Sequence, residues 1–247
     1  MQSAVTFSNT PREDRSLGLQ IFVEDRLTDT YEVLALRALK LPTSPRNRQR
    51  VRASRIEPAD LTTRDNLLDL VRRSVASGYG CVMFIIDQEA SLRSPERTAL
   101  LALFRDAFSA LCSYQKRLRS GDSLRRARII RVVCQRCLEG WLAADLHAVV
   151  DSVRGGLGID YRPPLQNSAD LLPLQAGQRI VSVIREVGRR IERKDLRRVN
   201  LSTVKSRGPA IAEFLEPERA RRFNDSLDYF LKMVDCQRSG CEHPFPG

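Results

Sequence analysis

Two apolar runs that each end in carboxylates constrain this chain more than any other feature. Ile21-Phe22-Val23 runs into Glu24, and Cys81-Val82-Met83-Phe84-Ile85-Ile86 runs into Asp87-Gln88-Glu89. Unbroken hydrophobicity of this length suits strands covered on both faces, as in a parallel sheet flanked by helices. An acid that ends such a strand lies at the sheet's carboxyl edge, where open α/β sheets gather ligands. Asp87 and Glu89, at i and i+2 of an extended segment, point the same way. With Glu24 beside them, three carboxylates would surround one point, enough to hold a hard divalent cation such as Mg²⁺ or Mn²⁺.

The rest of the chain supplies the helices such a sheet needs. The patterning predicts a strand over 18–24, a helix over 29–40 capped by Asp29 with Glu32 closing a capping box, and a loop over 42–50. A partly exposed strand is expected over 50–56, an amphipathic helix over 64–77 and the second acidic strand over 81–87. Ser94-Pro95-Glu96 is a strong start for a helix reaching about Arg119. A strand over 129–133 and a helix over 138–150 follow. Alternating β and α units at this pitch predict an α/β fold, a parallel or mixed sheet with helices on both faces. After a Gly- and Pro-containing loop the pattern turns purely helical, with stripes through Ile180, Val187 and Ile191, over 209–215, and through Phe223 and Leu231. The expected organisation is a core over 1–150, a loop over 151–173, a helical extension over 174–235 packed on the core, and a tail over 236–247.

Charge points to a polyanionic partner. Lys plus Arg number 41 against 30 acids, a net charge of +11, and almost all of the excess is Arg; nucleic acid is the first candidate. Arg46, Arg48, Arg50, Arg52 and Arg55 fall at nearly alternate positions, so a strand there would present them on one face as a phosphate-binding stripe. Further Arg clusters lie at 125–131 and 185–198, where a solvated helix face is the ordinary explanation. No aromatic residues interleave with the 46–55 cluster, so base stacking is not expected.

Several classes fall away. Only His147 and His243 are present, which argues against a His-based triad. No Gly-rich loop with Lys and Ser/Thr appears, so the chain is not expected to hydrolyse ATP itself. No apolar stretch nears the ~20 residues of a membrane span, and residues 1–19 contain no signal-peptide core, so the expected compartment is the cytoplasm with no membrane partner. Six cysteines in that compartment are expected to be reduced. Cys134-x-x-Cys137, and Cys236 with Cys241 and His243, have zinc-like spacing, although Cys134 and Cys137 also fit a core.

The acidic motifs together resemble the TOPRIM superfamily, the topoisomerase–primase fold also used by nucleases of the overcoming-lysogenization-defect type. That fold carries a Glu after its first strand, commonly as Val-Glu-Gly, and an Asp-x-Asp after its third. Val23-Glu24 matches the first motif and Asp87-Gln88-Glu89 occupies the second, with a βαβα unit between. Asp25 stands where Gly is common, and Glu89 where Asp is usual. A closer resemblance is to a bacterial TOPRIM-like family of undefined function often encoded beside ATPases. Its Glu-x-Trp-Leu-x-x-Asp segment is similar to Glu139-Gly140-Trp141-Leu142-Ala143-Ala144-Asp145, and its C-terminal helix segment to Asn224–Phe230, with Lys205 fitting the same pattern.

The resemblance implies a metal-dependent phosphoryl-transfer enzyme, first of all a nuclease acting on DNA or RNA. Asp87 and Glu89 would hold Mg²⁺ or Mn²⁺, Glu24 would bind metal or serve as general acid/base, and Glu139 would approach the same edge. It also implies an ATPase partner and a role in anti-phage defence; a homo-oligomer is compatible with it. The alternative is a non-catalytic nucleic-acid- or partner-binding subunit that keeps the fold.

Overall fold

The computed structural model describes residues 18–88, 94–135, 137–169 and 171–239, with side chains described as far as Asp235. Four parallel strands, β1 (Gly18–Val23), β2 (Val51–Arg55), β3 (Tyr79–Asp87) and β4 (Arg128–Cys134), form one sheet in the order β2-β1-β3-β4. Helix α1 (Thr28–Ala38) leads from β1 to β2, with the short α2 (Pro45–Arg50) just before β2. A 3₁₀ turn (Pro58–Leu61) and α3 (Arg64–Ala76) lead to β3; α4 (Pro95–Arg117) and α5 (Ser123–Arg126) lead to β4.

Strand periodicity divides the core. Leu19, Ile21, Val23, Met83, Ile85, Val132 and Cys134 face one way, onto α1 and the later helices. Phe22, Val82, Phe84, Ile86 and Ile129 face the other way, onto α3 and α4. This is the outcome of right-handed crossovers: β1 to β2 steps one way along the sheet, while β2 to β3 and β3 to β4 step the other way, so the helices fall on opposite faces. The direction of winding therefore reverses between β1 and β3.

The helices after β4 are α6 (Leu138–Ala143), α7 (Leu146–Arg154), α8 (Pro173–Arg190), α9 (Lys194–Arg197), α10 (Leu201–Phe214), α11 (Pro217–Ala220) and α12 (Asp225–Ser239). They share one buried cluster with α1 and the sheet, through Trp141, Ile180, Ile184, Ile211, Phe230 and Leu231. Gly208 lets α10 cross α1 closely: a Cβ there would meet Thr30 Oγ1 at 2.5 Å.

Several local expectations change. Residues 45–50 are helical rather than loop, because Ser44 caps Asn47 N–H and Pro45 opens the turn. The expected 138–150 helix is two helices. Buried Asp145 breaks it by capping Ala148 N–H while accepting from Glu216 N–H and from Arg219 Nε and Nη2 at 2.8–3.0 Å. Pro209 lies inside α10 rather than at its start, since Asn200 and Thr203 form the capping box that opens the helix. Asp29 does not cap α1, whose N-cap is Leu27. Glu32 instead accepts the Ala53 N–H at 2.8 Å, satisfying a backbone donor on edge strand β2.

Candidate functional site

The reversal between β1 and β3 is the crevice where open α/β sheets place ligands. Glu24 follows β1 and Asp87 ends β3, so these two predicted carboxylates flank it. Glu89 lies outside the described residues. Asp25 follows Glu24, and its Oδ1 accepts the Leu27 N–H at 3.1 Å. Among the described non-glycine residues only Lys40 and Glu192 have positive φ, so Asp25 carries no left-handed strain.

The carboxylates feel one another. Burial pushes the Asp87 carboxyl up to about 8, and the negative charges of Asp25, Glu24 and Glu139 push in the same direction. The Cys134 thiol donates to Asp87 and offsets part of this. Tyr31 lies fully buried in the same field; burial raises its phenol first, then Asp87, Cys134, Asp25 and Glu139. Cys134 and Cys137 are buried thiols. Burial and then Asp87 raise Cys134, while burial and then Glu139 push Cys137 up to about 12. Each therefore serves as a neutral donor to a carboxylate, Cys134 to Asp87 and Cys137 to Glu139. Cys241 and His243, and the side chain of Cys236, lie outside the described residues.

Two cations enter the cluster from different faces. Arg97, in the first turn of α4, holds Glu24 by two N–H···O bonds, at 3.2 Å from Nη1 to Oε1 and 2.6 Å from Nη2 to Oε2. Its Nη2 also donates to the Asp87 carbonyl. The Arg97 and Glu24 side chains are only 11% and 12% exposed. From the other face, Lys205 Nζ approaches Glu139 Oε1 at 3.8 Å. Sequence reasoning missed Arg97. Its one signal is a basic residue in a first helical turn, where the macrodipole disfavours positive charge.

The expected Arg stripe is not one face. Arg46, Arg48 and Arg50 lie on α2, which meets the amino end of β2, whereas Arg55 ends β2 opposite Val23. A five-residue strand separates them by about 16 Å, so only Arg55, paired with Glu57 at 3.0 Å, shares the edge with Glu24. Arg52 points outward from β2 midway. Arg26, exposed, follows the acidic tip of β1. The Arg side chains at 185–198 are partly structural: Arg185 donates to Val199 O at 3.0 Å and Arg197 to Gly188 O at 3.2 Å.

The segments that carried the closer resemblance lie together. Trp141 Nε1 donates to Ser226 Oγ at 2.8 Å, and the Trp141 and Phe230 rings pack at 4.9 Å. Asn224 Oδ1 accepts from Ser226 and from the Leu227 N–H that opens α12. Glu139 is thus fixed at the carboxyl edge by a fully buried Trp two residues away.

What these residues define is an α/β protein with an acidic cluster at the switch point of a parallel sheet. Comparison with known proteins gave no match to a family model, a curated protein or a solved structure. No described helix is long and apolar enough to cross a membrane.

The donor chemistry fits a hard divalent cation. Carboxylate oxygens come from the tips of β1 and β3 and from the first turn of α6 beyond β4. Burial first, and charge repulsion after it, holds the Asp87 proton, and a 2+ ion would relieve the repulsion. The side chains that would hold it are Glu24 and Asp87, with Glu139 behind them. Among the described residues no three His, Cys, Asp or Glu side chains are arranged as a ligand set, and Arg97 engages Glu24.

Proposed function

We propose that this chain is a metal-dependent phosphoryl-transfer enzyme, a nuclease acting on DNA or RNA through a TOPRIM-like core. One observation carries the reading: the charges of Glu24, Asp25 and Glu139 converge on buried Asp87 at the β1/β3 switch point. Arg97 and Lys205 supply positive charge to Glu24 and Glu139, yet the Asp87 carboxyl is still pushed up to about 8, and functional sites are where acids so perturbed concentrate. When bound, Mg²⁺ or Mn²⁺ would polarise the phosphodiester and stabilise the charge developing on it.

The protein's own groups do the rest. Glu24 and Asp87 are the side chains that would hold the cation at the crevice, where its charge would favour the ionised form of Asp87. Asp25, the residue after Glu24 in the chain, would orient the attacking water through the carboxylate oxygen not taken by the Leu27 N–H. Arg26 and Arg55 lie on the same edge and hold the phosphates flanking the reacting one; such contacts position a nucleic acid without reading its sequence. Tyr31, Cys134 and Trp141 close the cluster's inner side to water.

The test is cleavage of plasmid, single-stranded DNA and RNA with Mn²⁺ or Mg²⁺, with a parallel arm containing the ATPase that the resemblance implies. The wild type should cut at least one substrate, and Asp87→Asn should lose about a hundredfold or more of that rate. Equal behaviour of wild type and Asp87→Asn on every substrate and with either ion would sink the reading.

The contact of Arg97 with Glu24 favours a second reading, in which the site keeps its acids permanently ion-paired and the chain binds nucleic acid or a partner without cutting. Binding that weakens steeply with salt, with no cleavage, is its signature.

A further inference from the structure

Arg97 bridges the two strand ends that define the crevice. Its guanidinium spans the Glu24 carboxylate and the main-chain oxygen of Asp87, so one cationic group meets a side chain from β1 and a carbonyl from β3. Both charged partners are largely withdrawn from water, so neither is a solvated surface ion. The arrangement has local costs. Arg97 lies in the first turn of α4, against the helix dipole. Its Nε is buried with no hydrogen-bond partner. A contact held against these terms, with Glu24 buried beneath it, is one that another cation can replace. A divalent ion brings twice the charge and frees the guanidinium to regain water.

We propose that Arg97 is the resident counter-ion of this site: its guanidinium occupies the place beside Glu24 and must leave for a divalent cation to be held there, so it sets the site's metal affinity. The inference rests on the reading that the crevice takes a divalent cation. It assigns to the chain a built-in brake, in which cation entry and departure of Arg97 are one exchange. Arg97 is a positioning residue here, acting through Glu24. Arg97→Gln keeps a side chain of similar reach and removes one positive charge that competes for Glu24. Arg97→Lys keeps the charge but offers a point ammonium that cannot span the carboxylate and the carbonyl as a planar fork does.

The experiment is Mn²⁺ titration of the full chain, following the loss of the free-ion EPR signal, with circular dichroism to show that each variant is folded. Arg97→Gln should bind Mn²⁺ about tenfold more tightly than wild type, the equivalent of removing one competing unit charge from a partly buried site. Arg97→Lys should fall between the two, and Glu24→Gln should bind more weakly than wild type. A folded Arg97→Gln whose Kd equals or exceeds that of wild type overturns the proposal. If Arg97→Gln does not fold, an Arg97→Lys Kd equal to that of wild type overturns it instead. Unchanged Mn²⁺ affinity in a chain that still cuts nucleic acid rejects the brake and leaves the nuclease standing. Absence of Mn²⁺ binding in every variant, with no cutting, rejects both.

Discussion

Asp87 carries the largest electrostatic load at the residue scale. Its carboxyl stays protonated to about 8 in the fold, against an ordinary value of 3.8, because it is buried among other acids. The unfolded chain releases that proton near its ordinary value, so the group's contribution to stability is full below about pH 4 and drains away as the pH rises toward 8. The slope is up to about 1.4 kcal/mol per pH unit. Asp87→Asn removes the group. Urea unfolding in EDTA should show the variant gaining on wild type steadily from pH 5 to pH 7.5, whatever other groups titrate in both. Parallel pH profiles for the two proteins would show that Asp87 ionises normally in the fold. The position of this acid was legible in the sequence, because an apolar run ending in Asp needs no partner to be recognised. Arg97 was not legible, since its role comes from a fold that brings α4 under the end of β1, 73 residues away in the chain.

At the scale of elements, Asp145 shows how one side chain fixes a junction. It is fully buried, caps α7, and accepts from the backbone of Glu216 and the guanidinium of Arg219. The α6–α7 break and the docking of α11 therefore depend on the same carboxylate. Asp145→Ala strips the cap and strands a partly buried cation, so it should cost about 3–5 kcal/mol, read as a lower urea midpoint. A loss under about 1 kcal/mol, the range of an exposed pair, would contradict the assignment. The apolar stripe over 138–150 looked continuous because Ala143 and Ala144 carry no breaking signal; Asp145 makes the break, and the Arg219 that holds it buried there lies far along the chain. Strands β1 and β3 were readable because burial on both faces leaves an unbroken apolar run; edge strand β4 kept enough of that run to be read although Val133 is exposed. Helix α2 carries at Ser44-Pro45 the same start signal as Ser94-Pro95. It read as a loop because Pro42, Pro45 and Asn47 crowd a segment with no apolar face.

On the scale of the whole molecule, the sheet is covered on one face by α3 and α4 and on the other by helices from both halves of the chain. The acidic crevice opens where these layers meet at the strand ends, with Arg97 reaching it from one face and Glu139 and Lys205 from the other. The net charge of +11 makes the chain attractive to a polyanion, and the acids at the crevice give a cation somewhere to meet it. The most direct measurement is the anomalous difference map of a crystal grown with Mn²⁺. It should contain a peak between the carboxylates of Glu24 and Asp87, with the Arg97 guanidinium turned away from Glu24. A map with no peak at that crevice and Arg97 still on Glu24, at a Mn²⁺ concentration that supports cutting, would contradict the account.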